Sequence, residues 1–154
     1  MKMNICIKGV GCDTVSIPRF EEKMNNTRLV DKLFTEYEQN YIADKQIPSA
    51  AGIWAAKEAA SKSLGTGFYG FTIKDIEVRH TAQGQPQIIL YNGALKQAEK
   101  LGVKRIHISI SHTDNCTVLL YKAVLTGKRL FIHNYSLNKV GILFAISRVN
   151  SKCI

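Results

Sequence analysis

The chain has 154 residues, room for one domain, and its 45% hydrophobic and 21% charged content excludes a wholly disordered, collagen-like or coiled-coil protein. No stretch approaches the 18 or more apolar residues of a membrane span; the longest tempting run, Val140 to Ile146, is far too short. The formal charge of +9 is unevenly spread: Lys128, Arg129, Lys139, Arg148 and Lys152 are joined by no acid between Thr126 and Ile154, while the first 125 residues are only mildly basic.

Ile5 and Ile7 alternate with polar or small residues and predict a strand running into an irregular stretch, Gly9 to Thr14, with Asp13 near a strand end. A short helix is predicted from Ile17 to about Met24, capped by Ser16, with Pro18 tolerated in its first turn and Arg19 and Lys23 on one face. Beyond Asn25-Asn26, a short helical piece carries Leu29, Val30 and Leu33, and Thr35-x-x-Glu38 is a capping box opening a helix through Tyr41 and Ile42. Pro48 is expected to end that region. Ser49 is then expected to cap the dominant helix, Ala50 to Leu64, rich in alanine and stopped by Gly65. Trp54, Glu58, Ser61 and Lys62 share one of its faces by spacings of three and four.

Thr72 to Arg79 and Gln87 to Tyr91 predict a hairpin around Thr81 to Pro86. Asn92 is expected to cap a helix from Gly93 to Leu101. Ile106 to His112 alternates as a strand, and Cys116 to Leu125 supplies another. The fold class expected is α+β, an antiparallel sheet packed on one long helix plus short helices. A boundary near Thr126 divides a body, residues 1–125, from a basic extension, residues 126–154. The N-terminus lacks a signal peptide's apolar core and cleavage site, and the four cysteines show no paired or zinc spacing, so buried, reduced cysteine in the cytoplasm is expected.

Gly65-x-Gly67-x-x-Gly70 has the string of a dinucleotide fingerprint but follows a helix instead of a strand, and Gly9-x-Gly11 is interrupted by Pro18 where a binding helix would run. Taken singly, Glu58 and Lys62 read as a surface ion pair at i, i+4 contributing about 0.3 to 0.5 kcal/mol. Asp13 alone reads as a turn residue, and His112 alone as a rim histidine.

Together they stand in a recognisable order. Gly9-Val10-Gly11-Cys12-Asp13-Thr14-Val15, the block Trp54 to Gly67 (W-A-A-K-E-A-A-S-K-S-L-G-T-G), Asp75-Ile76-Glu77-Val78, Gly84-Gln85-Pro86 and Ile108 to His112 resemble the holo-[acyl-carrier-protein] synthases, the small single-domain 4′-phosphopantetheinyl transferases, over roughly positions 4 to 124. The resemblance implies that fold, a homotrimer with sites between subunits, and transfer of the phosphopantetheine arm of coenzyme A to a serine of apo acyl carrier protein in fatty acid biosynthesis. Adenosine 3′,5′-bisphosphate would be released.

It further implies that Asp13 and Glu58 hold Mg²⁺, an ion that takes one or two protein carboxylates beside phosphate and water oxygens. Lys62 neutralises phosphate charge, and Glu58 or Asp13 removes the serine proton. Coenzyme A would be met by Lys62, Gly65, Thr66, Gly67, Pro86, Ser111 and His112, and carrier protein by Arg19 and Lys23. Position 53, Arg in many members, is Ile53 here, so one expected phosphate or partner contact is missing or comes from elsewhere. Two rival readings are a basic nucleic-acid-binding module using the tail, and a degenerate member that binds without turnover. No membrane or nucleic-acid partner is expected on the main reading.

Overall fold

The computed structural model describes residues 6–112, 116–119 and 126–127. Strand β1, Cys6–Ile7, is paired antiparallel with β7, Thr126–Gly127, so the described body reaches two residues beyond Leu125. Strand β2, Asp13–Ser16, follows an extended link, and its last residue opens α1, Ile17–Met24, with Pro18 in the first turn. Proline fits there because the first helical N–H groups have no partner within the helix. Helix α2, Thr27–Leu33, is capped by the Asn26 side chain, which accepts from the Leu29 N–H at 3.2 Å. Helix α3, Glu36–Ala43, starts with the predicted capping box: Thr35 Oγ1 accepts from the Glu38 N–H at 3.3 Å, and Glu38 Oε2 accepts from the Thr35 N–H at 2.8 Å.

Helix α4, Ile47–Ser63, begins earlier than expected. Pro48 lies in its first turn and so starts the helix instead of closing the preceding region, and Ser49 is inside it instead of capping it. Gly65, with φ of +79°, stops it as predicted. The stretch Thr72 to Asp75 is no strand: Asp75 Oδ2 accepts from the Thr72 N–H at 3.0 Å and winds Ile73–Asp75 into a single 3₁₀ turn. Strands β3, Ile76–His80, and β4, Pro86–Leu90, then form the hairpin, with Ile76 opposite Leu90 and His80 opposite Pro86. Helix α5 covers Asn92–Lys100. The Asn92 amide does not cap it but donates to Asp75 Oδ1 at 3.0 Å, tying the helix start to the 3₁₀ turn.

Of the strand expected from Ile106, only β5, Ser111–His112, is paired, while Ile106 to Ile110 run extended with the isoleucines half-buried and His107 and Ser109 exposed. The burial alternation is therefore as predicted although the ladder is not. Strand β6, Cys116–Leu119, lies between β2 and β5, antiparallel to both. The end of the second predicted strand, 120–125, and most of the extension, 128–154, lie outside the described residues.

Helix α4 runs through both clusters of the core. Ala50, Ala51, Ile53, Ala55, Ala56 and Ala59 pack with Ile17, Phe20, Leu33, Phe34 and Val78, and Ala60 and Leu64 pack with Ile76, Ala94 and Ala98. Its alanines let neighbouring backbone come close, nowhere more than at Gly11, where a Cβ would stand 2.0 Å from the Ala59 carbonyl oxygen and 2.8 Å from the Ser63 nitrogen. Gly11→Ala is accordingly expected to cost about 1 to 3 kcal/mol, the usual penalty for forcing a methyl group into a filled space. Urea unfolding measures it, and an unchanged midpoint would show that residues 9–12 are not pressed onto α4.

Candidate active site

The close approach at Gly11 sets the next two residues beside the solvent-facing side of α4. Asp13 begins β2, opposite Leu119. Glu58 and Lys62 sit one turn apart on α4, and Ser61 fixes its hydroxyl on the Glu58 carbonyl at 2.7 Å. Lys62 Nζ lies 2.6 Å from Asp13 Oδ1 and donates also to the Cys12 carbonyl at 3.4 Å. The ion pair of Lys62 is thus made across the fold with Asp13 and not along the helix with Glu58, because Asp13 offers its carboxylate at the end of the lysine's reach. Cys12 itself is exposed, which corrects the expectation of buried cysteine at that position.

The electrostatics of this group are those of two acids sharing one base. Glu58 is half-buried, and desolvation first, then the nearby Asp13 charge, push its carboxyl above the ordinary glutamate range, partly offset by Lys62. The Lys62 ammonium is held above its usual value, chiefly by its hydrogen bond to Asp13. An arrangement with surplus negative charge suits a hard cation that brings phosphate oxygens with it. No group of three or more His, Cys, Asp or Glu that could hold a metal ion occurs among the described residues; Asp13 and Glu58 are a pair that could hold Mg²⁺ together with oxygens from substrate and water.

Gly65, Thr66 and Gly67 continue from the end of α4 about one turn beyond Lys62, and the loop is fastened back by Phe68, whose ring stacks on Trp54 at 6.4 Å. Ser111 pairs with Val118, which pairs on its other side with Thr14, so β5 and the Asp13 strand flank one central strand and Ser111 is exposed. The backbone of His112 continues β5. Arg19 and Lys23 are exposed on α1, directly downstream of Asp13.

Pro86 is not brought to this group. It lines a cleft of about 230 Å³ with Tyr41, Ser49, Ile53, His80 and Ile110, and another of about 300 Å³ with Gln85, Gln87, Arg105 and His107; neither includes Asp13, Glu58 or Lys62. Ile53, where the resemblance expects Arg, is 2% exposed and belongs to the core.

Sequence reasoning missed Lys57, which is fully buried with its ammonium 2.6 Å from Glu38 Oε2 and 2.8 Å from the Leu33 carbonyl. A signal was present: Ile53, Lys57, Ala60 and Leu64 fall at spacings of four, three and four, a core stripe with one lysine in it.

A consequence of the Glu58 shift is measurable. A carboxyl raised in the fold leaves its stabilising share intact below the unfolded value and loses it as pH rises through the folded one, so ionised Glu58 weakens the fold at neutral pH. Glu58→Gln should therefore raise the melting temperature at pH 7 by about 1 to 3 °C, with the gain vanishing near pH 4. An equal gain at both pH values would contradict the assignment.

The model of the 4′-phosphopantetheinyl transferase superfamily matches residues 9–127. The holo-[acyl-carrier-protein] synthase of Clostridium perfringens is 43% identical over 129 residues, covering 79% of this chain and 96% of that protein. Among solved structures, the holo-[acyl-carrier-protein] synthase of Neisseria meningitidis superposes with a TM-score of 0.65 at 28% identity, covering 76% of this chain and 100% of that one. That of Helicobacter pylori, in complex with coenzyme A, gives 0.63 at 26%, covering 73% and 99%. With the Asp13, Glu58 and Lys62 cluster inside the matched span, the chain belongs to the 4′-phosphopantetheinyl transferase superfamily and groups there with the holo-[acyl-carrier-protein] synthases.

Proposed function

We propose that the protein transfers the 4′-phosphopantetheine group of coenzyme A to a serine hydroxyl of apo acyl carrier protein, with Mg²⁺ as cofactor. The observation that carries this reading is the meeting of Asp13, Glu58 and Lys62, two acids and one base drawn from a strand start and a helix face. The coenzyme A complex of the Helicobacter pylori relative supports the donor. The reaction breaks the bond between the β-phosphorus of coenzyme A and the bridging oxygen. It forms a bond from that phosphorus to the serine oxygen and releases adenosine 3′,5′-bisphosphate.

Phosphoryl transfer of this kind is mostly positioning and charge stabilisation, and the residues divide the work accordingly. Asp13 and Glu58 would hold the metal, which when bound neutralises charge on the pyrophosphate oxygens. The Lys62 ammonium, half-exposed beside Asp13, is placed to turn toward phosphate oxygens as their charge grows. Glu58 accepts the serine proton, a role for which its half-buried position one turn from Lys62 on α4 places it. Thr66 and Gly67 would offer backbone N–H groups at the same end of α4, the Gly65 N–H being donated to the Lys62 carbonyl at 3.0 Å, and Ser111 and His112 would border the nucleotide from β5. Asp13→Ala and Glu58→Ala should each lower kcat by at least about a hundredfold with the fold retained by circular dichroism. Near wild-type turnover in either variant would remove the metal assignment. Arg19→Glu should raise KM for carrier protein and leave KM for coenzyme A alone, an effect mimicked by added salt, since exposed charges are screened over about 8 Å at physiological ionic strength.

The same reading makes the protein a cytoplasmic homotrimer serving fatty acid biosynthesis, its sites completed between subunits. No described helix is long and apolar enough to cross a membrane. The nucleic-acid alternative rests on the basic residues from Lys128 onward, outside the matched span of 9–127. The extension has no part in transfer on this account. Removing residues 128–154 should leave sedimentation at about three chain masses and turnover within about twofold, as expected for a segment beyond every matched motif; an active monomer, or loss of the oligomer on truncation, would overturn these two points.

A further inference from the structure

The surface of α4 is unusually smooth. Ala50, Ala51, Gly52, Ala55, Ala56, Ala59 and Ala60 are all buried, and such small side chains make shallow ridges that resist rotation or sliding of a helix poorly. Among the described residues, the one side-chain polar contact that this buried face makes to another element is that of Lys57, the Ser61 and Ser63 hydroxyls bonding within the helix. Its ammonium is received by Glu38 Oε2 at 2.6 Å and the Leu33 carbonyl at 2.8 Å. The receiving carboxylate is itself immobilised, since the Thr35 N–H donates to Oε2 and the Val78 N–H donates to Oε1, both at 2.8 Å. Four segments, the end of α2, the start of α3, the middle of β3 and the middle of α4, therefore meet at one buried pair.

Stability does not demand this arrangement, because well-packed apolar residues of similar volume are commonly as stable as a buried ion pair or more so. What apolar packing on a smooth alanine helix does not supply is a fixed rotation about the helix axis. Lys57 is one residue from Glu58, about 100° away around the helix, so locking Lys57 inward fixes where Glu58 and Lys62 point. We infer that the buried Glu38–Lys57 pair is a positioning device that aims Glu58 and Lys62 at Asp13, a role that rests on the transferase reading given above. Both side chains are fully buried.

The test compares the wild type with a neutral pair, Glu38→Gln with Lys57→Met, in which the side-chain carbonyl of the glutamine still accepts from the Val78 N–H, the Thr35 N–H gives up its acceptor, and the shape is nearly kept. The variant should melt in a single transition above the assay temperature and keep KM for coenzyme A within about threefold. Its kcat should fall by about 10- to 100-fold, as expected when reacting groups are misplaced by a fraction of an ångström. Removing Lys62 should then matter less: the loss from Lys62→Ala should be several-fold smaller in the neutral-pair background than in the wild type, the non-additivity of groups that act through one another. A folded variant with wild-type kcat, or fully additive losses with Lys62→Ala, would overturn the positioning role while leaving the transferase reading standing; an inactive wild type would overturn both. Should the neutral pair not fold, Lys57→Arg keeps the charge but adds bulk where exposure is nil, and must show the same kcat loss and the same non-additivity; wild-type values in that folded variant would overturn the proposal.

Discussion

A lysine ammonium with no exposure to solvent is costly to place, and the fold around it is arranged to receive it. Burial drives Lys57 toward losing its proton and Glu38 toward gaining one, and each opposes the other's shift through the ion pair. Leu33 accepts a further hydrogen bond from the ammonium, and Thr35 and Val78 donate to the two carboxylate oxygens, so the pair is neutral as a unit and both of its members are hydrogen-bonded to backbone. Removing one partner alone would strand a buried charge, a loss of about 3 to 5 kcal/mol and a large part of the stability of a domain of this size. Everything that gives the candidate site its shape is hung from the helix this pair holds: the close approach of Gly11, the neighbouring Asp13, and the loop from Gly65 clipped to Trp54 by Phe68.

The two faces of α4 show opposite electrostatic solutions. On the inner face one acid and one base are matched, and both are hydrogen-bonded to backbone. On the outer face Asp13 and Glu58 outnumber Lys62, and the excess is left standing in a half-exposed setting where Glu58 is pushed up by burial and by Asp13. Frustrated charge of that kind is what a site for a cation and a polyphosphate needs before they arrive, and it is paid for by the satisfied pair next door on the same helix.

How much of this the sequence disclosed follows from which interactions are local. The capping box at Thr35 and Glu38, the Gly65 stop and the short helix carrying Leu29, Val30 and Leu33 were readable because residues three or four apart decide them. Boundaries that depend on a rival local pattern were misread. Pro48 serves equally as a stop for one helix or the first turn of the next, and Asp75 reaches back to Thr72 to make a turn from what looked like a strand. The partner of Lys62 was also misread, since Glu58 is the neighbour in sequence and Asp13, 49 residues away, is the neighbour in space. That Asp13, Glu58 and Lys62 belong together came from the order of the motifs. The geometry that joins them, a glycine pressed against the Ala59 carbonyl, is a contact between distant segments that no periodicity encodes. Pro86 shows the reverse: grouped with the site by motif order, it lies in clefts that contain none of the three.

The central claim is that this cluster moves a phosphopantetheine arm from coenzyme A to a serine. Incubating the protein with coenzyme A, Mg²⁺ and apo acyl carrier protein, and reading the intact mass of the carrier, addresses it without an assumption about rate or affinity. The account predicts a gain equal to one phosphopantetheine group, lost when the carrier's acceptor serine is replaced by alanine, with adenosine 3′,5′-bisphosphate formed in equal amount. A carrier of unchanged mass in the presence of folded protein, donor and metal would contradict it.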